Sequence, residues 1–285
     1  MVNQTCQTLR VLKEIPPPRG LSQEVIRVVT DERVDLVDLV NVINKSPAIA
    51  AKILRCANSA YYGQRREIST VREAVIRVLG LGITRSLSLA IALSSNFDPE
   101  KVIGFDEKRY WFNAVTSAVI AQELCYVLSV REKPAPAVAY TAGLIHNIGL
   151  QALIHCFPQQ MQTVFANSEG TLAERIRGAI GLDHHQASFI LAENWGLPEI
   201  ICHALVWGDN TPEEDPTASQ VLATITRLSS GIADELYTKR RCDLRDCPVQ
   251  TTLVAPDQVL KIAHDIELQL DSLLEMAQLI SRGSE

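Results

Sequence analysis

The segment AGLIHNIGLQ, residues 142–151, carries a polar pair within an apolar helical run, because His146 is followed directly by Asn147. A histidine beside a carboxylate can help to bind divalent metal ions, and metal-bound water can hydrolyse a phosphoester. Here the second residue is an amide, which has the size of an aspartate side chain but not its charge. Taken alone, the pair is more typical of a polar position in a helical core than of a metal site.

A second group of candidate ligands lies in GLDHHQASFILAENWGLP, residues 181–198. His184 and His185 follow Asp183, and the three residues resemble the Asp-His-His signature of a phosphoesterase family. That family also needs Asp-rich strands of a parallel sheet, which this sequence does not predict. Asp183 and Gln186 have the spacing of a capping box, which accounts for the same letters more simply. We therefore predict a helix start here, although one of the two histidines could still face a pocket.

The remaining histidines and the cysteines give weaker signals. His155, His203 and His264 lie on apolar helical stretches, where histidine is usually a hydrogen-bonded residue of the core or its boundary. The seven cysteines are an odd number in mostly apolar surroundings, as expected for reduced cysteines of a cytoplasmic protein. Cys242 and Cys247 are close together, but one such pair is weak support for zinc.

Composition limits the classes of partner. The chain has 285 residues, 47% of them hydrophobic, and a net charge of −6, which disfavours binding to nucleic acid. The basic segments GQRRE and TKRRCDLR lack interleaved aromatic residues and are expected to be solvated loops. The start of the chain has no secretory pattern, and polar residues interrupt the apolar run at 135–154, so we expect no membrane span.

The elements that would position these residues are helices, since strand signals are nearly absent. Helix-start signals occur at Ser46–Pro47, Thr70–Glu73, Thr171–Glu174 and Asp215–Pro216, and Gly80 is a predicted helix end. The helix that begins near Pro216 is expected to run to about Tyr237. These signals predict an all-α protein of about a dozen helices.

Two further expectations concern packing. The last helix is predicted to cover residues 256–280, with an apolar stripe that must pack on the domain or on a second chain; the stripe contains Val259, Ile262, Ile266, Leu270, Leu273 and Leu274. Asn58 and Ser59 end an earlier helix, and we expect Asn58 to be largely buried and hydrogen-bonded to the main chain.

Several segments, in one order and at fitting separations, carry the motifs of a known family. They are EIPPPRG; KSPAIAAKILRCANSAYYG, with Pro47, Asn58 and Ser59; ISTVREAVIRVLGLG; LIHNIG; and HHQASFILAENWGLPEII, with Trp195 and Pro198. Over about residues 14–237 the chain resembles the HDOD family, the HD-related output domains of bacterial signalling proteins. Ser46 departs from the Asp usual in that family, a conservative change because both residues cap helices.

The resemblance implies a single HD-like multi-helix domain over 14–237. A helical lead-in would occupy 1–13, and a connecting loop with a C-terminal amphipathic helix would form an extension over 238–285. HD metal phosphohydrolases use a His, a His-Asp pair and a distant Asp. By the resemblance, these positions fall at Asn113, at the pair His146–Asn147 and near Thr224, so only His146 is retained.

One neutral imidazole cannot hold a hard divalent cation against water, so the resemblance implies a remnant of a metal site with no catalytic residue, metal or cofactor. The residues expected around this remnant pocket are Asn113, His146, Asn147, His184, His203 and Thr224.

The expected function is that of a non-enzymatic bacterial signal-transduction module in the cytoplasm. It would bind an unidentified signalling protein or a small ligand through its degenerate HD-type core, and a homodimer is compatible with this reading. The alternative is a metal-dependent phosphohydrolase with a rearranged site that uses His184, His185, His203 and Asp209. Binding to nucleic acid is disfavoured because no basic recognition helix is found.

Overall fold

The computed structural model describes residues 2–15, 21–31, 33–95, 97, 102–206, 216–243 and 252–281, and within these ranges every regular element is helical. The all-α prediction is confirmed. The helices are α1 (Val2–Glu14), α2 (Leu21–Thr30), α3 (Leu36–Asn44), α4 (Pro47–Ala57), α5 (Val71–Glu73), α6 (Gly80–Ser94), α7 (Glu107–Val127), α8 (Pro136–Ile145), α9 (Ile148–Cys156), α10 (Pro158–Ala166), α11 (Leu172–Ile180), α12 (His184–Asn194), α13 (Glu199–Ala204), α14 (Ala218–Lys239), α15 (Pro256–Glu267) and α16 (Leu270–Ile280). A 3₁₀ turn covers Ala60–Tyr62 and a π-helical segment covers Ala74–Leu79.

Most of the predicted helix starts are confirmed. Pro47 is the first residue of α4, and Ser46 accepts a hydrogen bond from the Ile49 N–H. The predicted capping boxes open α11 at Thr171 and α12 at Asp183. A further capping box at Thr217 opens α14, whereas the predicted start at Asp215 lies outside the described residues.

The predicted helix end at Gly80 is confirmed for the segment before it, but a new helix follows directly. Gly80 caps the π-helical segment with a φ of 73° and a ψ of 169°, outside the helical region, and α6 begins at the same residue and runs to Ser94. The π-helical segment before Gly80 widens the turn, and the hydroxyl of Thr84 donates to the carbonyl of Gly80. Helix α6 then packs against α2 and α8, so tertiary contacts stabilise a second helix directly after the break at Gly80.

Helix α7 forms the centre of the molecule. Residues 110–121 are buried on every face of the helix, and α7 packs against α8, α14, α15 and α16. A helix buried all round cannot show a clear amphipathic stripe in its sequence. Asn113 on α7 is therefore a polar side chain in the protein core, where its amide requires hydrogen-bond partners.

The C-terminal segment forms two helices where the sequence predicted one. The chain turns at Leu268 and Gln269, between α15 and α16, and the amide of Gln269 donates to the carbonyl of Asp265. The predicted apolar residues, from Val259 to Leu273, are buried, and Leu274 is half-buried. Because α15 packs on α7 and α16 packs on α7 and α4, the predicted packing of this stripe on the rest of the chain is confirmed.

The prediction for Asn58 is confirmed in its bonding and wrong in its burial. Its side-chain amide donates to the carbonyls of Leu54 and Ile68, and its side-chain oxygen accepts from the Ile68 N–H at 2.7 Å. Asn58 is exposed, since its partner is a loop on the protein surface, whereas Ser59 is buried and donates to Cys56. Asn58 thus fastens the loop after α4 to the end of that helix.

Two glycines near the turn between α8 and α9 allow neighbouring helices to approach so closely that their backbones are in contact. A Cβ atom on Gly143 would lie 2.7 Å from the backbone of Ala118 on α7. A Cβ atom on Gly149 would lie 2.3 Å from both the carbonyl of His184 and the N–H of Ser188 on α12. The Ser188 hydroxyl accepts from the Gly149 N–H at 2.9 Å, so α9 is bonded to α12 where they touch.

We predict that Gly149→Ala destabilises the protein by about 3 kcal/mol or more, because neither backbone atom in contact can move aside. The matched control is Gly178→Ala in α11, where an added Cβ atom meets nothing within 4 Å. That control should stabilise the protein by about 0.5–1 kcal/mol, the usual gain of Ala over Gly in a helix. Urea unfolding of both variants measures the difference; an unchanged Gly149→Ala midpoint would contradict the close approach.

Candidate functional site

His146 is fully buried at the turn between α8 and α9, and both ring nitrogens have partners. Its Nδ1 lies 2.7 Å from the carbonyl of Gly143, and its Nε2 lies 2.9 Å from the hydroxyl of Ser230 on α14. Because a carbonyl can only accept, Nδ1 carries the proton, and Nε2 of the neutral ring accepts from Ser230. Burial lowers the pKa of His146 to about 4; the bond to Gly143 opposes this shift and nearby His184 adds to it.

Asn113 and Asn147 extend this contact into a chain of neutral hydrogen bonds. The Asn147 amide nitrogen donates to the Asn113 side-chain oxygen at 3.4 Å, and the Asn113 amide nitrogen donates to the main-chain carbonyl of Ser230 at 3.1 Å. The Ser230 hydroxyl also lies 3.3 Å from the Asn113 oxygen, but the acceptor on His146 is closer. The Asn147 side-chain oxygen is buried and has no hydrogen-bond partner among the described residues.

His184 and His185 form a second buried group beside this chain. Their ring centroids are 3.9 Å apart, and both residues are buried. Burial lowers the pKa of His184, and the charge of Asp183 opposes the shift. Burial also lowers the pKa of His185, and the neighbouring His184 and His146 lower it further. Both rings are therefore neutral at physiological pH.

His203 lies outside this buried cluster. Its side chain is about half exposed, and its Nε2 lies 3.8 Å from the carboxylate of Glu199, one helical turn away on α13. Asp209, which the alternative reading also requires, lies outside the described residues.

Thr224 is buried on α14, and its hydroxyl donates to the carbonyl of Gln220 in its own helix. Ser230, six residues further along, makes the contacts with His146 and Asn113, at a helix rise of about 9 Å from Thr224. The predicted position and the residue that contacts His146 thus lie on the same helix, but the sequence analysis did not name Ser230. A serine in the segment TRLSSG carries no chemical signal that would distinguish it from its neighbours.

The other motif residues belong to the framework. Trp195 ends α12, and its ring packs against Phe97 with the centroids 6.1 Å apart. Pro198 precedes the first residue of α13, and Pro47 opens α4. All three residues lie at helix ends, and none takes part in the hydrogen bonds given above for the His146 cluster.

The donor set of the cluster does not fit a divalent metal ion. Hard cations need carboxylate oxygens and their charge, but the cluster offers two neutral amides, one hydroxyl and one imidazole whose lone pair accepts from Ser230. Across the described ranges, no group of three or more His, Cys, Asp or Glu side chains has the geometry to hold a metal. The arrangement can hold helices together; it does not supply a metal-activated water.

Comparison with known proteins connects this site to a family. The family model for the HDOD domain matches residues 15–211. An uncharacterized protein from Treponema pallidum (strain Nichols) is 23% identical over 220 residues, which are 75% of this chain and 41% of that protein. The chain thus spans less than half the length of this curated relative.

Three solved structures share the fold. A candidate phosphohydrolase from Shewanella amazonensis SB2B has a TM-score of 0.75 at 22% identity, covering 96% of this chain and 98% of its own. A candidate signal transduction protein from Marinobacter aquaeolei VT8 has a TM-score of 0.78 at 22% identity, covering 99% and 66%. An HDOD domain protein with unknown function from Geobacter sulfurreducens has a TM-score of 0.64 at 20% identity, covering 99% of both chains.

We predict that the protein loses stability as the pH falls from about 6.5 towards 4. Over this window the unfolded chain protonates His146 at its ordinary pKa, whereas the folded chain keeps it neutral, since burial lowers its pKa to about 4. For this one residue the loss between pH 7 and pH 5 should be about 2 kcal/mol. Urea unfolding as a function of pH measures it.

His146→Gln should remove that part of the pH dependence, whereas His203→Gln, at a half-exposed position, should retain it. If His146→Gln does not fold, the ring can be followed by NMR in the unmodified protein. A His146 ring that titrates above pH 6 would contradict the buried neutral assignment.

Proposed function

The chain belongs to the HDOD family, and we propose that it is a non-enzymatic bacterial signal-transduction module that binds a partner protein or a small ligand. The observation that carries this proposal is the neutral hydrogen-bond chain from Asn147 through Asn113 and Ser230 to His146. An HD-type hydrolase needs metal ligands at this place. Here two amides, a hydroxyl and the imidazole bond to one another instead.

The chemistry of the cluster argues against hydrolysis. A catalytic metal lowers the pKa of a bound water and neutralises the charge of the phosphate, which requires ligands that retain the ion. His146 still has the orientation of a metal ligand, because its Nδ1–H is fixed by the Gly143 carbonyl and its Nε2 lone pair points into the cluster. That lone pair accepts from Ser230, so the imidazole serves as a structural acceptor.

A second candidate function, metal-dependent phosphohydrolysis, is favoured by one observation. His184 and His185 are adjacent and buried, and the Nδ1 of His184 has no hydrogen-bond partner among the described residues. A candidate phosphohydrolase also shares the fold. Against this, no group of three or more His, Cys, Asp or Glu side chains within the described part of the chain has the geometry to hold a metal, and the carboxylate of Asp183 caps α12.

The signalling role and the cytoplasmic location are parts of the same proposal. A structural neighbour is named as a candidate signal transduction protein, and the present chain covers 66% of that neighbour's length. Two helical runs, Val71–Ser94 and Pro136–Cys156, have the length and hydropathy of membrane spans, but 56% and 78% of their most apolar windows are buried inside the protein. We therefore interpret both as core helices of a soluble module.

We predict that Mn²⁺, Fe²⁺ or Mg²⁺ at millimolar concentration neither raises the melting temperature nor produces phosphodiesterase or nucleotidase activity. A ligand at a hundred times its Kd stabilises a protein by about 2.7 kcal/mol, so binding would be visible in a melting curve. Asn147→Asp alone should also fail, because the first and last ligand positions would remain an amide and a hydroxyl.

The triple variant Asn113→His, Asn147→Asp, Ser230→Asp restores the complete ligand set and should gain Mn²⁺-dependent stabilisation. Its matched control carries Thr224→Asp in place of Ser230→Asp and should gain none, because position 224 lies about 9 Å along α14 from Ser230, the residue that contacts His146. If the unmodified protein instead retains a metal through purification and cleaves a phosphodiester, the non-enzymatic proposal is wrong. His184→Ala and His185→Ala would then identify the ligands.

A further inference from the structure

Helix α1 precedes the region that the HDOD model matches, yet it packs against the family domain. Its main contacts are with α12, α11 and α9, all of which lie far along the chain. The bond between Thr8 and Ile180, for example, joins residues that are 172 positions apart. Helix α1 is therefore held in place by elements that are distant from it in the sequence.

Two threonines of α1 bond to the end of α11. The hydroxyl of Thr8 donates to the carbonyl of Ile180 at 2.8 Å in a buried contact, and the hydroxyl of Thr5 donates to the carbonyl of Gly181 at 3.2 Å. Carbonyls at the C-terminus of a helix have no partner within that helix and depend on other groups for hydrogen bonds. Helix α1 thus caps α11 at the point where the chain turns into α12.

The contact at this turn is close, and a second bond fastens the other end of α1. Gly181 has a φ of 91°, and a Cβ atom there would lie 2.5 Å from the hydroxyl oxygen of Thr5 and 3.1 Å from its backbone. The side-chain amide of Asn194 donates to the carbonyl of Leu12 at 3.3 Å. Because Gly181 precedes α12 and Asn194 is its last residue, α1 is fastened at both ends of α12.

Only a narrow face of α1 is buried against the domain. Between residues 5 and 14, Thr8 and Leu12 are buried, with exposures of 2% and 0%, and the other side chains are half-buried or exposed. A helix of thirteen residues is marginal in water by itself, so α1 depends on these few contacts. Segments with few buried contacts open at a lower free energy than the core does.

The turn that α1 holds leads directly into the adjacent histidines. Asp183, two residues after Gly181, accepts from the N–H groups of His185 and Gln186 at 3.0 and 2.9 Å and so starts α12. His184 and His185 are the first two residues of that helix and are only 6% and 7% exposed. Loosening of the turn would therefore weaken this cap and admit water to both rings.

We propose that α1 is a releasable strap: while it is docked it keeps the α11–α12 turn and the first turn of α12 closed, and its release exposes the His184–His185 pair to solvent. The domain then has two states that differ at one surface, which a ligand or partner with different affinities for the two states would shift. This conformational device is independent of the chemistry proposed for the His146 cluster.

The test is hydrogen–deuterium exchange of the full chain, measured by mass spectrometry, with the unmodified protein and Thr8→Val. Valine has the shape of threonine but no hydroxyl, so the carbonyl of Ile180 loses this bond. Exchange in α1 and in the first turn of α12 should become about tenfold faster together, because the loss of a buried hydrogen bond favours the open state by about that factor.

Two controls separate release of the strap from other effects. Thr163→Val makes the same chemical change at an exposed position of α10, where the hydroxyl bonds within its own helix, and should leave α12 at the unmodified rate. The buried part of α7, residues 110–121, reports unfolding of the whole domain and should also keep its rate in Thr8→Val. If Thr8→Val does not fold, Thr5→Val replaces it, since that change removes the longer bond.

A second measurement follows the histidines themselves. Diethyl pyrocarbonate acylates accessible imidazoles, and it should modify His184 and His185 about tenfold faster in Thr8→Val than in the unmodified chain. His203, whose side chain is about half exposed, should react at the same rate in both proteins.

The inference is overturned if Thr8→Val speeds exchange in α1 alone, since the turn would then stay closed without the strap. It is also overturned if neither segment changes, if the buried part of α7 accelerates by the same factor, or if Thr163→Val opens α12 equally. Metal-dependent hydrolysis together with coupled opening of α1 and α12 would overturn only the proposed function. Uncoupled exchange in a protein without hydrolysis would overturn only the strap.

Discussion

The backbone contact between α9 and α12 at Gly149 is the constraint on which the site depends. With no Cβ atom between them, the N–H of Gly149 reaches the hydroxyl of Ser188, which also lies 2.7 Å from the carbonyl of His146. This contact fixes the turn after α8, and the turn decides where His146 and Asn147 point. It also brings α12, and with it the His184–His185 pair, beside the same core. A larger residue at position 149 would separate all of these groups at once.

The polar residues within this core are compatible with burial because each bond connects neutral groups. A buried unpaired charge would cost several kcal/mol, whereas amides and a hydroxyl that bond to one another mainly avoid the cost of unmet partners. The low pKa of His146 belongs to the same arrangement, since burial and the nearby His184 both favour the neutral ring. Two atoms do not fit this account: the side-chain oxygen of Asn147 and the Nδ1 of His184 are buried without partners among the described residues.

Local signals predicted local structure well. The caps at Ser46, Thr171 and Asp183 were confirmed, because a cap depends on residues three positions apart. Gly80 ends the segment before it as predicted, but the glycine does not signal that a second helix, packed on α2 and α8, begins at the same residue. Asn58 was predicted to be buried because its side chain was expected to bond to the main chain. The bonds exist, but the loop that provides them lies at the protein surface.

Local signals could not predict which residues of α14 face His146. Thr224 and Ser230 are both small hydroxyl residues on one helix, and which of them meets His146 depends on how α14 rotates against α7. That rotation follows from the sum of many apolar contacts and leaves no motif in the sequence. A cavity lined by Ile49, Trp111 and Gln151 was missed for the same reason, because its residues come from four helices.

A core held by metal ligands and a core held by neutral amides depend on different conditions. In a metalloprotein, binding of the ion adds to the free energy of folding, so stability follows the supply of metal. In this chain the hydrogen bonds among Asn113, Ser230 and His146 connect α7, α14 and the turn after α8 without an ion. These three side chains are less than a tenth exposed, so a partner protein cannot touch them directly. A partner or ligand of the kind proposed above would therefore have to contact surfaces or cavities outside this cluster. The cavity lined by Ile49, Trp111 and Gln151 lies outside the cluster but shares α7 with it.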